Sequence, residues 1–101
     1  MSDTLTLYKL IILKMLTQID SPLTNSQISE FILEKEYTNY FTVQQVLAEM
    51  EETGLVTISS SHNSSIYHIT DTGRETLHYF GDKISDAICQ DILEYLQKNH
   101  V

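Results

Sequence analysis

Bond-making chemistry needs a nucleophile, a base or a metal held beside a partner, and the side chains that supply these are few and scattered here. His62, His68, His78 and His100 have no second ligand at metal-binding spacing, and the lone Cys89 stands far from His62 and His68 along the chain. No serine sits in a nucleophile elbow, and no glycine-rich run offers a phosphate cradle. His78 and Asp82, four apart, read as a surface pair on a helix, and Cys89 as a small buried or half-buried side chain. Neither an enzyme nor a metal, cofactor or small-molecule ligand is expected. What remains is uncharged hydrogen-bonding chemistry, in side chains that both donate and accept. Side chains of that kind run along the whole chain, among them Thr24, Asn25 and Ser26, then Thr38, Asn39, Tyr40, Thr42, Gln44 and Gln45, then His62 and Asn63.

All of the named residues but Thr24, Asn25 and Ser26 lie in a stretch without countercharge. From Glu36 through Gly73 there is no Lys or Arg, and 14 acidic side chains outnumber 6 basic ones for a net charge of -8. Such a balance favours solubility and opposes attraction to phosphate backbones, so nonspecific binding to nucleic acid or membrane is disfavoured. A chain of 101 residues is one domain, 1–101, able to bury a modest core without staples. One cysteine allows no intramolecular disulfide and suits a reducing cytosol. No basic-then-apolar leader opens the chain and no apolar run nears about twenty residues, so a cytoplasmic protein without a membrane span is expected.

The elements that must position these groups follow from periodicity and caps. Leu5, Tyr8, Ile11, Ile12, Met15, Leu16 and Ile19 recur at three- or four-residue steps, which predicts an amphipathic first helix over 4–19. Asp20-Ser21-Pro22 breaks it. Thr24-Asn25-Ser26-Gln27 has capping-box spacing, so a second helix starts near Asn25, buries Ile28, Phe31 and Ile32, and stops near Glu36. Thr38 is expected to cap a third helix over 38–53. Its Tyr40, Val43, Val46, Leu47 and Met50 would face the core, and Asn39, Thr42, Gln44, Gln45, Ala48 and Glu49 the outside. Gly54 supplies the left-handed residue that ends it.

Leu55 to Ile58 and Ile66 to Ile69 are short β-prone runs joined by a soft polar tip, Ser59 to Ser65. By the period of two, Tyr67 and Ile69 point inward and His68 outward. Thr70 caps a fourth helix reaching Phe80. After Gly81-Asp82-Lys83 a fifth helix, over 84–99, carries Ile84, Ile88, Ile92 and Leu96 at steps of four, with Tyr95 beside them. The class is α+β and mostly helical. The order is that of a winged helix-turn-helix core over 4–80 with a two-stranded wing and an additional C-terminal helix.

Particular runs carry a family resemblance over roughly residues 5–80. Phe41 to Val56, ending Thr53-Gly54-Leu55-Val56, resembles the recognition helix and stop of ArsR and MarR type regulators. Tyr67-His68-Ile69-Thr70-Asp71-Thr72-Gly73-Arg74-Glu75-Thr76-Leu77 resembles the signature that closes the wing in PadR and MarR type proteins. Closer still, Leu23 to Phe31 with Tyr37-Thr38-Asn39-Tyr40-Phe41-Thr42 is similar to a bacterial winged-helix family of uncharacterised function. Members of that family are longer, which implies that a chain ending at Val101 is a shortened form.

The resemblance implies a double-stranded DNA partner. The outward side of the third helix would enter the major groove with Thr42, Gln44 and Gln45 at base edges, where a Gln pairs with adenine through both donor and acceptor. Thr24, Asn25, Ser26, Thr38, Asn39 and Tyr40 would meet phosphates from helix starts, and His62 and Asn63 would touch the minor groove. PadR type proteins pair through terminal helices, which implies a homodimer joined by Ile84, Ile88, Ile92 and Leu96; packing of that stripe on its own domain is the alternative. Only Lys9, Lys14, Lys35 and Arg74 lie in the winged-helix stretch, so a monomer would bind duplexes no better than roughly 10⁻⁴ to 10⁻⁶ M. A DNA-binding transcriptional regulator is therefore the first expectation. A winged-helix protein-protein interaction module that leaves DNA alone is the second.

Overall fold

Helix α1 (Asp3–Thr17) is the axis of the fold. Its Leu10, Ile11, Ile12 and Leu13 are consecutive, so they point to all sides of the helix, and each is at most 1 % exposed. The expected one-sided stripe held Ile11, Ile12, Met15 and Leu16 but lacked Leu10 and Leu13, because α1 is enclosed rather than laid on a surface. The computed structural model describes residues 3–19 and 21–99; Asp20, part of the expected break, and His100 lie outside them. After α1 come β1 (Leu23–Thr24), α2 (Asn25–Glu34), α3 (Tyr40–Glu52), β2 (Val56–Ser61), β3 (Ser64–Ile69), α4 (Asp71–Phe80), a short 3-10 turn (Gly81–Lys83) and α5 (Asp86–Lys98). The class is α+β, five α-helices with a three-stranded antiparallel sheet of order β1-β3-β2.

The stops are made by local chemistry. At the end of α3 the Leu55 amide donates to the Met50 carbonyl and the Gly54 amide to that of Glu51, with Gly54 at φ 81°, which is a Schellman motif. The same pair of bonds ends α2, Tyr37 to Ile32 and Glu36 to Leu33, and forces Glu36 into the left-handed region at φ 59°. Thr70 caps α4 by accepting from the Gly73 amide, and its hydroxyl donates toward the Gly54 and Leu55 carbonyls. A Cβ at Gly73 would stand 2.3 Å from the Leu55 carbonyl oxygen. Only a glycine lets the start of α4 close on the end of α3 that tightly.

Helix α5 starts two residues later than the periodicity suggests. The Ser85 hydroxyl accepts from the Ile88 amide, so the helix begins at Asp86 and Ile84 precedes it in extended backbone. Ile84, Ile92 and Leu96 are 5 %, 0 % and 3 % exposed within a single chain, and Ile88 packs half-buried beside them. The stripe expected to join two copies is therefore occupied by the protein's own core. Cys89 is half-buried, and the ring of His78 stands against Tyr79, with no ion pair to Asp82 among the described residues.

Two phenols pin α5 to α2. Tyr37 donates to Asp91 at 2.8 Å and Tyr95 to Glu30, while the Phe31 ring packs on both tyrosines. Burial first, and then the hydrogen bond to a carboxylate, push both phenols well above their ordinary value of 10.0. The folded state thus holds them neutral. Their contribution is complete below the unfolded value and is lost as pH rises through it toward the folded one. Urea midpoints measured against pH should show no loss from these groups below about pH 9 and a steady fall above about pH 10. In the Tyr37→Phe, Tyr95→Phe double variant that alkaline fall should be shallower.

Candidate nucleic-acid interface

The expected hydrogen-bonding residues are carried by three chain segments, each with its own cap or turn. At the start of α2 both halves of the capping box form: the Gln27 amide donates to the Thr24 hydroxyl at 3.1 Å and the Thr24 amide to the Gln27 carboxamide at 2.9 Å. At the start of α3 the cap is Asn39 rather than Thr38, since the Asn39 side chain accepts from the Thr42 amide at 2.9 Å. Tyr40 is then the first helical residue. Three before Val43, it shares the buried face by spacing, yet at the helix tip it projects past the core and is 52 % exposed. Phe41, next to it, is 83 % exposed, the two rings meeting edge to face at 6.3 Å.

The hairpin is firmer than a seven-residue polar tip would be. Its strands pair from Val56↔Ile69 out to Ser61↔Ser64, so His62 and Asn63 alone make the turn, at φ 51° and 66°. Two consecutive left-handed residues are what a two-residue turn needs to follow the strand twist, and Asn adopts that region more readily than most. Strand β1 was not foreseen; it pairs Leu23 with Tyr67 and Thr24 with Ile66, which draws the start of α2 against the hairpin. A polar cleft of about 290 Å³ results, lined by Thr24, Asn25, Ser26, Tyr40, Asn63, Ser64 and Ser65. Five expected residues meet there. His62 lies at the turn outside this lining, and Thr38, Thr42 and Gln45 are elsewhere on α3 and its approach.

Gln44 is not where the sequence led us to expect it. Its carboxamide oxygen accepts from Asn25 at 2.7 Å, and its nitrogen donates to Asn25 at 3.1 Å and to Ser29 at 3.0 Å. Ser29 in turn donates to Asn25 at 2.9 Å, and Asn25 donates to the Tyr67 hydroxyl at 3.2 Å. Gln44 is half-buried, Ser29 is 6 % and Tyr67 5 % exposed. With both of its N–H donors committed, this glutamine has no free donor for the paired donor-and-acceptor contact to an adenine edge. Asn25 is likewise committed and is not a free phosphate donor. Ser29 and Tyr67 were missed as members of this cluster. The signal was present in α2, where Asn25 and Ser29 sit four apart beside the apolar stripe.

What α3 shows to solvent is the line Phe41, Gln45, Ala48 and Glu52, neutral for most of its length and acidic at the end. Lys9 reaches Glu49 at 3.0 Å from α1, and this hydrogen bond and charge hold the Glu49 carboxyl below its ordinary value. That pair occupies the Lys9 ammonium. Lys35 faces Asp91 at 3.9 Å. Among the described residues no group of three His, Cys, Asp or Glu side chains is arranged for a metal ion, and no helix is long and apolar enough to cross a membrane.

The two adjacent glutamines therefore differ in kind. Gln44→Ala should cost about 1–3 kcal/mol in chemical denaturation, because Asn25 and Ser29 lose partners inside the fold. Gln45→Ala, at an exposed site with a 3.5 Å contact to Glu49, should stay within about 0.5 kcal/mol of wild type.

No curated protein and no solved structure matches this chain. Over residues 8–101 its sequence matches the model of a domain of unknown function, DUF4364, and the chain belongs to that family.

Proposed function

We propose that the chain is a winged helix-turn-helix module that binds double-stranded DNA, as a transcriptional regulator in the cytoplasm, with α3 presented to the major groove and the β2–β3 hairpin flanking it. The observation that carries this reading is the convergence of the α2 start, the α3 start and the hairpin turn on one polar cleft. First-turn amides have no partner inside their own helix, and two such ends beside hydroxyls favour phosphate oxygens. The element order and the β1-β3-β2 sheet agree with the same frame. Base contacts fall to Gln45 and Thr42 rather than to Gln44, with Phe41 and Ala48 as apolar neighbours.

Magnitudes limit the affinity. Each neutralised phosphate adds about 0.9 to the logarithmic salt slope, and the stretch from Glu36 to Gly73 holds no cation to neutralise one. Binding rests on hydrogen bonds and shape, so it is weak and nearly indifferent to salt. A dimer would need a surface other than the Ile84, Ile88, Ile92 and Leu96 stripe, which the core occupies.

A second reading, a protein-docking module, is favoured by Phe41 at 83 % exposure with Glu51 and Glu52 exposed at the other end of the same helix. An aromatic anchor with acidic neighbours suits a basic protein segment. Fluorescence anisotropy with duplexes from upstream of the gene and of random sequence separates the two. The DNA reading expects high-micromolar binding at low salt, a log-log salt slope shallower than about -2, and loss of sequence preference by about 1–3 kcal/mol in Gln45→Ala. Absence of binding to every duplex at low salt would leave the protein-docking reading.

A further inference from the structure

We infer that the outer edge of strand β2 is the surface on which a second copy of this chain docks, β2 against β2 in antiparallel pairing. The sheet order β1-β3-β2 leaves β2 at an edge over its whole length, Val56–Ser61. The direction of its backbone groups follows from the ladder. The Thr70 amide donates to the Leu55 carbonyl at 3.1 Å, and residues bonded toward β3 then recur at every second position, Thr57, Ser59 and Ser61. The two-residue turn requires the same phase, since it closes on a hydrogen-bonded pair of Ser61 and Ser64. Ile58 and Ser60 therefore turn their amides and carbonyls outward, and no hydrogen bond from a described residue reaches them there.

Exposed strand edges are normally blunted by lysine, proline, a bulge or a very short strand. The opposite edge uses the last device, β1 being two residues long. Strand β2 uses none: its six residues, Val-Thr-Ile-Ser-Ser-Ser, hold no charge and no proline, and its pairing runs unbroken from Val56 to Ser61. A second copy is the occupant because an antiparallel strand pair is its own complement under a two-fold axis. The outward groups of Ile58 and Ser60 meet the same groups of the second copy. Charge selects the same edge. At a net charge of -8 two copies repel, yet Thr53 to Thr70, the longest run in the chain without Asp, Glu, Lys or Arg, lets them meet with least opposition. Six residues a side fall well below the roughly 20–30 of a standard interface, so the pairing is weak and shows at high concentration. The Ile84, Ile92 and Leu96 stripe stays in the core of each copy, whether α3 meets DNA or protein.

Sedimentation equilibrium of the full chain, from low micromolar to about millimolar concentration, tests this. The expected result is the 11.6 kDa monomer at the low end and a mass climbing toward twice that at the high end. Over the same range the amides of Ile58 and Ser60 should exchange with solvent more slowly, by roughly tenfold. Ser60→Pro removes an outward donor and no bond to β3, so it should keep the monomer's thermal midpoint and weaken the dimer at least about tenfold. Ser60→Lys leaves the backbone as it is and lessens the net charge, which would strengthen any unspecific association. Placed on this edge, it should weaken the dimer instead. The proposal is overturned by a monomer mass at every concentration, by a dimer whose Ile58 and Ser60 amides exchange as in the monomer, or by Ser60→Lys pairing as well as wild type.

Discussion

The carboxamide of Gln44 is where α2, α3 and the sheet are held in one geometry. It meets Asn25 through both its oxygen and its nitrogen and reaches Ser29, while Asn25 passes the connection to Tyr67 on the middle strand. Inside a low-dielectric cluster such bonds are strong when every member is satisfied and costly when one is missing. No buried side-chain nitrogen or oxygen among the described residues lacks a partner. The cluster thereby fixes the rotation of α3 about its axis. With Gln44 turned inward, Phe41, Gln45 and Ala48 must be the residues that face out.

A second constraint fixes the hairpin against that helix. Thr70 donates toward the carbonyls of Gly54 and Leu55 and caps α4, and Gly73 has no side chain to hold α4 away from Leu55. Thus the turn after α3, the end of β3 and the start of α4 form one joint. From the other side β1 joins the start of α2 to β3. The cleft between helix starts and hairpin turn is a consequence of these two ties.

Features made by neighbours in sequence were legible before any coordinates. The capping box at Thr24, the Gly54 stop, the Thr70 cap and the inward Tyr67 each depend on bonds spanning a few residues or on strand period. Features made at a distance were not. Strand β1 is two residues long and exists only because β3 runs beside it. Gln44 and Gln45 are chemically identical, and the presence of Asn25 and Ser29 across from one of them decides which is internal. Ile84, Ile92 and Leu96 have the same spacing whether they join two copies or close one core, and here they close the core. The serines of the hairpin resemble a loop because neither face of the strands is covered past Ser59, yet the backbone pairing continues to Ser61 and Ser64. Tyr40 was misassigned for a simpler reason: periodicity takes no account of where a helix ends.

The exposed side of α3 is therefore a neutral line that turns acidic, beside a polar cleft with no cation in its lining. All of this rests on the inward position of Gln44. Solvent exchange of the side-chain carboxamide protons, followed by NMR, tests it directly. The protons of Gln44 and Asn25 should exchange roughly tenfold or more slower than those of Gln45. Equal rates for Gln44 and Gln45 would contradict it.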